Sequence, residues 1–331
     1  MPYLELVCPA GTPAAFKAAI ESGADTVYCG FRDETNARNF PGLNFDRREM
    51  GDAIALAHRH ERKVLIAINT FPKAGHPGPW RQAIDQAAEL GADAVILADI
   101  GLLDYAKRTH PDLRLHLSVQ AAASNADAIA FYRDRFGVKR VVLPRVLTVD
   151  EIGQLTRAVG IETEVFAFGG LCVMAEGRCA LSSYLTGTSP NSQGACAPAS
   201  HVRYDEEGDQ LVSRLGGVTI NSFSKSEPAG YPTPCKGRFT ADGQTSYLFE
   251  DPVSLNTLDI LPALKAAGVT ALKIEGRQRG KAYVTQVVST FRAAIDAIAQ
   301  GIGTNAPAAA ALRAISEGGR ETTGAYKKSW R

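Results

Sequence analysis

A repeated motif, in which glycine is followed by a run of apolar and β-branched residues, limits most strongly what this chain can fold into. Glu-Ser-Gly-Ala-Asp-Thr-Val-Tyr at 21–28 returns as Glu-Leu-Gly-Ala-Asp-Ala-Val-Ile at 89–96, and looser versions follow at 137–142 and 268–273. Glycine suits the left-handed position just after a helix, and the run behind it suits a strand that is buried on both faces. Each copy therefore predicts the end of a helix and the start of a strand.

Strand-like runs of this kind occur eight times, and helical patterns lie between them. The predicted strands lie near 4–7, 26–29, 64–68, 94–97, 113–117, 140–143, 164–168 and 271–274. The predicted helices lie around 12–22, 47–60, 80–90, 101–109, 126–135, 148–158, 258–267 and 282–299. Eight alternations of strand and helix predict an α/β fold, a TIM-like (β/α)8 barrel. A doubly wound open sheet is the alternative, but no Gly-x-Gly-x-x-Gly follows the first strand.

One long interval interrupts this alternation. Strand seven ends near 168, and the next helical pattern begins at 258. We therefore predict a single barrel domain over 1–303 that carries a cysteine-rich insertion at 169–255, followed by a C-terminal arm over 304–331. A chain of 331 residues, 45% of them hydrophobic, has enough apolar side chains for one large core.

The insertion holds four of the six cysteines, among glycine, proline and other small residues: Cys172, Cys179, Cys196 and Cys235. Their spacing lacks the Cys-x-x-Cys knuckle of most structural zinc sites, so separate loops must converge to bring the thiolates together. Thiolates without histidine or carboxylate favour iron–sulfur or zinc. We predict a four-thiolate metal centre; four unrelated buried thiols are the alternative. Cys8 and Cys29 end strand-like runs far from the others and are predicted to be core or pocket-lining residues.

Polar side chains follow the predicted strands at the ends where barrel active sites form. These are Asn36, Arg38, Asn69, Asp99, Ser118, Gln120, Arg145, Glu275 and Arg277. Arginines among apolar walls suit a small carboxylate substrate. We predict catalytic roles for Glu275 and Arg277, and substrate binding by Asn36, Arg38, Asn69, Ser118 and Gln120. The alternative for each residue alone is a helix cap or a turn.

Composition narrows the setting. The net charge of +1 gives no sign of a nucleic-acid surface, and no apolar run is long enough to span a bilayer. The first residues lack the basic and apolar segments of a signal peptide, so we expect a cytoplasmic protein whose reduced thiols bind metal rather than form disulfides. The chain has no Gly-x-Ser-x-Gly, His-Glu-x-x-His or P-loop lysine motif. Hydrolysis by a familiar nucleophile is therefore unsupported.

Several short motifs carry a family resemblance. They are Cys-Pro-Ala-Gly at 8–11, Asn-Ala-Arg-Asn-Phe at 36–40, Ala-Ile-Asn-Thr-Phe at 67–71, Leu-Ser-Val-Gln at 117–120 and Lys-Ile-Glu-Gly-Arg at 273–277. Together with the four cysteines they resemble the collagenase-like peptidase family, over nearly the whole chain. The strings at 165–179, 182–187 and 229–238 resemble the branch of that family that acts in oxygen-independent ubiquinone biosynthesis.

This resemblance implies a [4Fe–4S] cluster held by Cys172, Cys179, Cys196 and Cys235. It also implies a heterodimer with a UbiV-like cluster protein that hydroxylates a ubiquinone precursor without dioxygen, with prephenate as the oxygen source. A UbiT-like lipid-binding accessory protein would supply the hydrophobic substrate. Arg38 and Arg277 are then the candidates to hold the carboxylates of prephenate.

Three other functions remain open at this point. Relatives in the family hydroxylate RNA bases, but the charge near zero and the lack of an aromatic and basic stripe disfavour RNA, so no nucleic-acid partner is expected. A peptidase needs a nucleophile or a metal-bound water, and a metal centre ligated only by thiolates has no open position for water. The third alternative is a non-catalytic scaffold with a structural cluster.

Overall fold

Eight parallel strands close into a barrel in the computed structural model, which describes residues 4–174, 176–302 and 306–327. The barrel strands are β1 (Glu5–Pro9), β2 (Thr26–Cys29), β3 (Lys63–Ile68), β4 (Ala94–Leu97), β5 (Leu115–Leu117), β6 (Arg140–Val142), β7 (Glu162–Gly170) and β14 (Ala271–Ile274). The other strands of the described residues are β8 (Val202–Glu207), β9 (Gln210–Leu215), β10 (Val218–Ser224), β11 (Arg238–Ala241), β12 (Gln244–Tyr247), β13 (Ser254–Asn256) and β15 (Glu321–Thr322).

The described residues form helices between the barrel strands, in the segment after β7 and in the C-terminal segment. They are α1 (Pro13–Glu21), α2 (Arg47–Arg59), α3 (Gly78–Glu89), α4 (Ile100–Thr109), α5 (Ala126–Phe136), α6 (Val149–Val159), α7 (Leu181–Thr186), α8 (Pro190–Gln193), α9 (Leu261–Ala266), α10 (Lys281–Ala299) and α11 (Ala306–Arg313). Within the described residues, no helix has both the length and the apolar character needed to cross a membrane.

The barrel closes through β14, which pairs in parallel with both β1 and β7. Strands β1 to β7 follow one another around the barrel in chain order. The predicted TIM-like (β/α)8 barrel is therefore confirmed, because each predicted barrel strand and helix overlaps an observed one.

The repeated glycine motif has the local structure that its sequence predicts. Gly23 and Gly91, in the two full copies, have φ of 98° and 77°, which a residue with a side chain rarely adopts. Each glycine ends a helix and turns the chain into β2 or β4. At the start of α2, Asp46 and Glu49 form a reciprocal capping box that fixes where the helix begins.

Apolar packing fills the space between the strands and the helices, where Phe16, Trp80 and Phe291 are fully buried. Inside the barrel, Tyr28 lies with small and branched side chains. Cys8 and Cys29 belong to the core between strands and helices, as predicted.

Residues 171–253 connect β7 to β13 and contain the four cysteines of the predicted insertion. This segment includes the short helices α7 and α8, the antiparallel sheet β8–β9–β10 and the hairpin β11–β12. β13 then pairs antiparallel with the end of β7, and β15 of the C-terminal segment pairs with β13. Of the arm predicted at 304–331, residues 304, 305 and 328–331 lie outside the described residues.

Candidate functional site

An ion pair between distant parts of the chain lies at the mouth of the barrel. Arg38 follows β2 and Glu275 follows β14, and Arg38 Nη2 lies 3.4 Å from Glu275 Oε1. The other carboxylate oxygen, Oε2, accepts a hydrogen bond from the backbone of Gly170 at 3.3 Å. Burial raises the pKa of Glu275, but the neighbouring arginines, led by Arg38, outweigh burial and hold that pKa below its ordinary value. Glu275 is therefore an ionised carboxylate at neutral pH.

Arg277 is a buried cation that forms no ion pair with a carboxylate in the described part of the chain, although Glu275 lies within electrostatic range of it. Its side chain donates from Nη1 to Asn36 Oδ1 at 3.0 Å, and its guanidinium lies 5.6 Å from the centre of the Tyr28 ring. The residue is 4% exposed, and burial lowers the pKa of Arg277 to about 10. A buried charge without a counter-ion is costly, so this guanidinium is suited to receive an anion.

A glycine makes room for this contact. At Gly30, just after β2, a Cβ atom would lie 2.7 Å from Asn36 Cγ and 2.9 Å from Arg277 Nη1. Both distances are shorter than real Cβ contacts, so only glycine lets Asn36 and Arg277 approach the strand end in this way. Gly30 was not among the residues predicted from the sequence, because its role depends on the contact between Asn36 and Arg277.

The remaining predicted substrate-binding residues brace the loops around the mouth. Asn69 accepts a hydrogen bond from the Ala37 backbone at 3.0 Å and donates to Ser118 Oγ at 3.2 Å. Ser118 Oγ in turn accepts from the backbone of Gln120 at 3.2 Å. The structure thus places all seven predicted residues at one end of the barrel. The hydrogen bonds of Asn69 and Ser118 connect loops to one another. Asp99 caps α4, which is the alternative role given above for each residue that follows a strand.

Arg145, after β6, adds a third arginine to the mouth. It donates to the Gly170 carbonyl at 3.2 Å and pairs with Glu176 at 2.7 Å, and its guanidinium lies 4.4 Å from the centre of the Phe166 ring. The side chain is only 10% exposed, and its buried Nε has no hydrogen-bond partner among the described residues. Arg145 also interacts electrostatically with Cys172 and Glu275, so it lies between the cysteine segment and the mouth.

The cysteines of the insertion approach one another over this mouth. The thiol of Cys196 is in electrostatic range of Cys172 and Cys179, and that of Cys235 is in range of Cys172 and Cys196. Burial raises the pKa of Cys196, and burial together with the neighbouring thiols raises the pKa of Cys235 to about 12. Arg38 also interacts with Cys196 and Cys172, which connects the cysteines to the ion pair with Glu275.

Backbone contacts hold the cysteine loops against the barrel. Asn191 accepts from the Cys179 backbone N–H at 3.2 Å and donates to its carbonyl at 3.0 Å. Asn39, in the loop after β2, donates from its backbone to the Gly194 carbonyl at 3.3 Å. The loops that carry the second and third cysteines are thereby fixed to each other and to the mouth.

Four thiolates are the donor set that holds a [4Fe–4S] cluster in proteins. No group of three or more His, Cys, Asp or Glu side chains in the described residues is arranged to hold one metal ion. In a four-iron cluster each thiolate binds a different iron, so the thiolates lie farther apart than around one ion. The thiol of Cys196 lies in electrostatic range of the other three cysteines, and Arg38 and Arg145 are both in range of Cys172, an arrangement compatible with such a cluster. The cluster itself stays a prediction.

Glu317 is a residue of the site that sequence reasoning missed. It comes from the C-terminal segment, accepts from Arg279 Nη2 at 2.8 Å and forms an ion pair with Lys236, the residue after Cys235. Its carboxylate also borders Gly170, where a Cβ atom would lie 3.0 Å from Glu317 Oε1 and 3.5 Å from Glu275 Oε2. No local pattern around 317 marks such a role, because its partners lie elsewhere in the chain.

The fold and the site define a barrel protein with a thiol-rich segment over a cationic mouth. The chain matches the model of Peptidase family U32 over residues 11–328, and it belongs to that family. It is 31% identical to tRNA hydroxylation protein P of Escherichia coli (strain K12), over 90% of this chain and 69% of the relative. It is 29% identical to the 23S rRNA 5-hydroxycytidine C2501 synthase of the same organism, over 91% and 40%.

Two further matches carry the peptidase label. The chain is 29% identical to the collagenase of Porphyromonas gingivalis (strain ATCC BAA-308 / W83), over 90% of this chain and 66% of the relative. Among solved structures, the U32 peptidase Mk0906 matches with a TM-score of 0.42 and 15% identity, over 50% of this chain and 70% of that one.

Proposed function

We propose that this chain is a UbiU-like iron–sulfur subunit of an oxygen-independent hydroxylase, which acts on a ubiquinone precursor together with a UbiV-like partner. The observation that carries the proposal is the buried guanidinium of Arg277, which has no carboxylate partner among the described residues and lies at a mouth bordered by four cysteines. Relatives named for tRNA and rRNA hydroxylation support hydroxylation as the reaction class. A UbiT-like accessory protein would deliver the lipid substrate.

The arginines bind the oxygen source in this proposal. Arg277 receives one carboxylate of prephenate, and Asn36 orients its guanidinium through the 3.0 Å hydrogen bond to Nη1. Arg38 is the candidate for a second carboxylate, because its ion pair with Glu275 is long at 3.4 Å and leaves donor capacity on the guanidinium.

Glu275 supplies a base rather than an acid. Because its pKa is held below the ordinary value, chiefly by Arg38 against the effect of burial, the carboxylate is unprotonated at neutral pH. A proton released from the substrate ring is accepted at Oε1 when Arg38 turns toward the anionic ligand. Oε2 keeps its hydrogen bond to Gly170 and fixes the orientation of the carboxylate.

Cys172, Cys179, Cys196 and Cys235 would hold the [4Fe–4S] cluster. Such a cluster supplies one-electron transfer, which a hydroxylation without dioxygen requires and side chains do not provide. Arg38 and Arg145 lie close enough to these thiols to offset their negative charge.

RNA base hydroxylation is the second candidate, and the names of the relatives favour it. The net charge of +1 argues against it, because RNA-binding surfaces carry clustered positive charge. The two candidates predict different products from the same cells.

The test uses a bacterial strain whose own gene for the UbiU-like subunit is deleted. The strain is complemented with this chain and grown without oxygen. We expect restored ubiquinone, and no change in hydroxylated nucleosides of tRNA and rRNA measured by mass spectrometry. Arg277→Lys should lower ubiquinone strongly at unchanged iron content, since lysine does not reproduce a bidentate contact. Arg48→Ala, at an exposed arginine of α2, is the matched control. Restored RNA hydroxylation without ubiquinone would replace the proposal by the second candidate.

A further inference from the structure

An apolar cavity of about 380 Å³ lies inside the cysteine-bearing segment. None of the described residues that line it is charged, and three of them lie within two positions of a cysteine in the chain. Met174 lies two residues after the first of the four cysteines, Ala180 directly follows the second, and Pro234 directly precedes the fourth. The cavity therefore lies beside the predicted cluster site, and none of the residues named in the site above lines it.

The rim of this cavity exposes large apolar side chains. Tyr184 is 92% exposed, Phe249 50% and Val218 40%. Phe249 packs edge-on against Phe239, another lining residue, at a centroid distance of 6.2 Å. Contiguous exposed apolar surface of this kind marks a binding site in soluble proteins.

We infer that this cavity binds the isoprenoid tail of the substrate, while the ring lies at the mouth of the barrel. The inference rests on the proposed function, since a ubiquinone precursor consists of a polar ring and a long branched hydrocarbon chain. It assigns the two parts of one molecule to two neighbouring surfaces of the same protein.

The chemistry of the walls selects a hydrocarbon. A nucleotide, a peptide backbone or a lipid headgroup has hydrogen-bonding groups that must find partners when buried, and this cavity offers little beyond the Tyr184 hydroxyl. A hydrocarbon chain needs no such partner. The volume falls in the range of small-molecule pockets, whereas a protein partner requires a much larger buried area.

The position agrees with the same assignment. A tail held between the chain neighbours of three cysteines enters from solvent and leaves the ring directed toward the thiols and the arginines. An accessory protein that carries the tail meets the exposed rim at Tyr184 and Phe249 first.

The test measures binding of dansyl-labelled farnesol to the full-length protein, purified anaerobically together with its partner. Phe249→Asp places a charge on the cavity wall and should weaken binding at least tenfold, and Ala180→Trp should weaken it similarly by filling the space. Leu248→Asp is the matched control, because Leu248 is 48% exposed, adjoins Phe249 and does not line the cavity. Iron content and circular dichroism verify that each variant is folded.

The outcomes separate the cavity from the function. Equal loss of binding in Leu248→Asp, or no saturable binding to the wild type, would overturn the cavity assignment. So would a Phe249→Asp variant that keeps farnesol binding and loses the partner, since the cavity would then be a protein interface. Farnesol binding is measured without turnover, so its absence with ubiquinone synthesis intact overturns only the cavity. Farnesol binding with no ubiquinone synthesis overturns only the proposed function.

Discussion

The buried cations at the two ends of the barrel differ in their partners. Near the amino ends of the strands, Arg140 pairs with Glu5 at 2.6 Å, Glu162 at 2.7 Å and Glu164 at 3.2 Å. Lys273 pairs with Glu164 as well, at 2.7 Å. At the carboxyl ends, Arg277 is as deeply buried as these cations but has an amide oxygen, and no carboxylate, as its partner within the described residues.

We propose that this difference separates charges that support the fold from charges that bind a ligand. Arg140, Lys273 and their glutamates form the lower network, in which both cations have a carboxylate partner. At the mouth, burial of the Arg277 guanidinium without a carboxylate partner among the described residues is costly, and an anionic ligand would offset that cost. Burial is therefore a poor guide to function by itself, and the partner of the buried charge is a better one.

The largest contrast is expected for the cysteines. Cys196→Ala should remove most of the iron from anaerobically purified protein, whereas Cys8→Ala, in the core between strands and helices, should keep it. Iron and acid-labile sulfide analysis measures both variants, with about four of each expected per wild-type chain. Stoichiometric zinc without sulfide in the anaerobic wild type would contradict the cluster.

Breaking the lower network should cost more stability than any change at the mouth. Glu164 is fully buried and neutralises both Arg140 and Lys273, so Glu164→Gln leaves buried cations short of a partner. We expect a loss of about 3–5 kcal/mol in the free energy of unfolding, measured with urea. A loss below about 1 kcal/mol would show that the network is solvated and that the two ends do not differ.

The barrel could be predicted from the sequence because its signals are local. Glycine after a helix, followed by a buried apolar and β-branched run, precedes four of the eight barrel strands, and strands such as 26–29 and 94–97 were located to the residue. The capping box of α2 is equally local, with Asp46 and Glu49 three positions apart. Periodicity and turn chemistry thus determine which elements form and in which order.

The site was predictable only in outline. The rule that active-site residues follow barrel strands selected Arg38 and Glu275, but their ion pair joins residues 237 positions apart. Glu317 shares this difficulty, since its partners Lys236 and Arg279 belong to other segments. Within the described residues Arg277 has no carboxylate partner, and this is a property of three-dimensional packing that no sequence pattern expresses.

Arg277→Met should separate activity from stability at the mouth. Methionine removes an unneutralised buried charge and keeps much of the side-chain volume, so we expect the free energy of unfolding to change by less than about 1 kcal/mol. Anaerobic ubiquinone formation should fall by about a hundredfold, which corresponds to the loss of a charged contact of roughly 2–3 kcal/mol. Destabilisation like that of Glu164→Gln would indicate a structural role instead.

A smaller effect is expected where the C-terminal segment meets the cysteines. Glu317→Gln weakens the ion pairs with Lys236 and Arg279, and we expect a loss of about 1–2 kcal/mol in the free energy of unfolding. The loop of Cys235 should become less well held, so iron should leave faster on exposure to air. Glu321→Gln, in the same segment with its carboxylate directed to Asn256, is the control that should retain iron at the wild-type rate.

The smallest effect concerns pH, and it compares the carboxylates of the two ends. Burial raises the pKa of Glu275, but Arg38 and the neighbouring arginines outweigh burial and hold that pKa below its ordinary value of 4.5. In the same way, Arg140 outweighs burial and lowers the pKa of Glu5. A carboxyl whose folded pKa is lowered contributes stability that is present above its unfolded pKa and is lost as pH falls through its folded pKa. Stability should therefore decline as pH falls below about 4.5.

Glu275→Gln should remove the share of this decline that comes from the mouth and leave the share of the lower network. Urea unfolding at a series of pH values between neutrality and the acid limit gives the slope for the wild type and for the variant. A slope that is unchanged in Glu275→Gln would mean that the carboxylate titrates alike in the folded and unfolded states. In that case Arg38 does not hold it ionised, and the base assigned to the mouth would have to be another group.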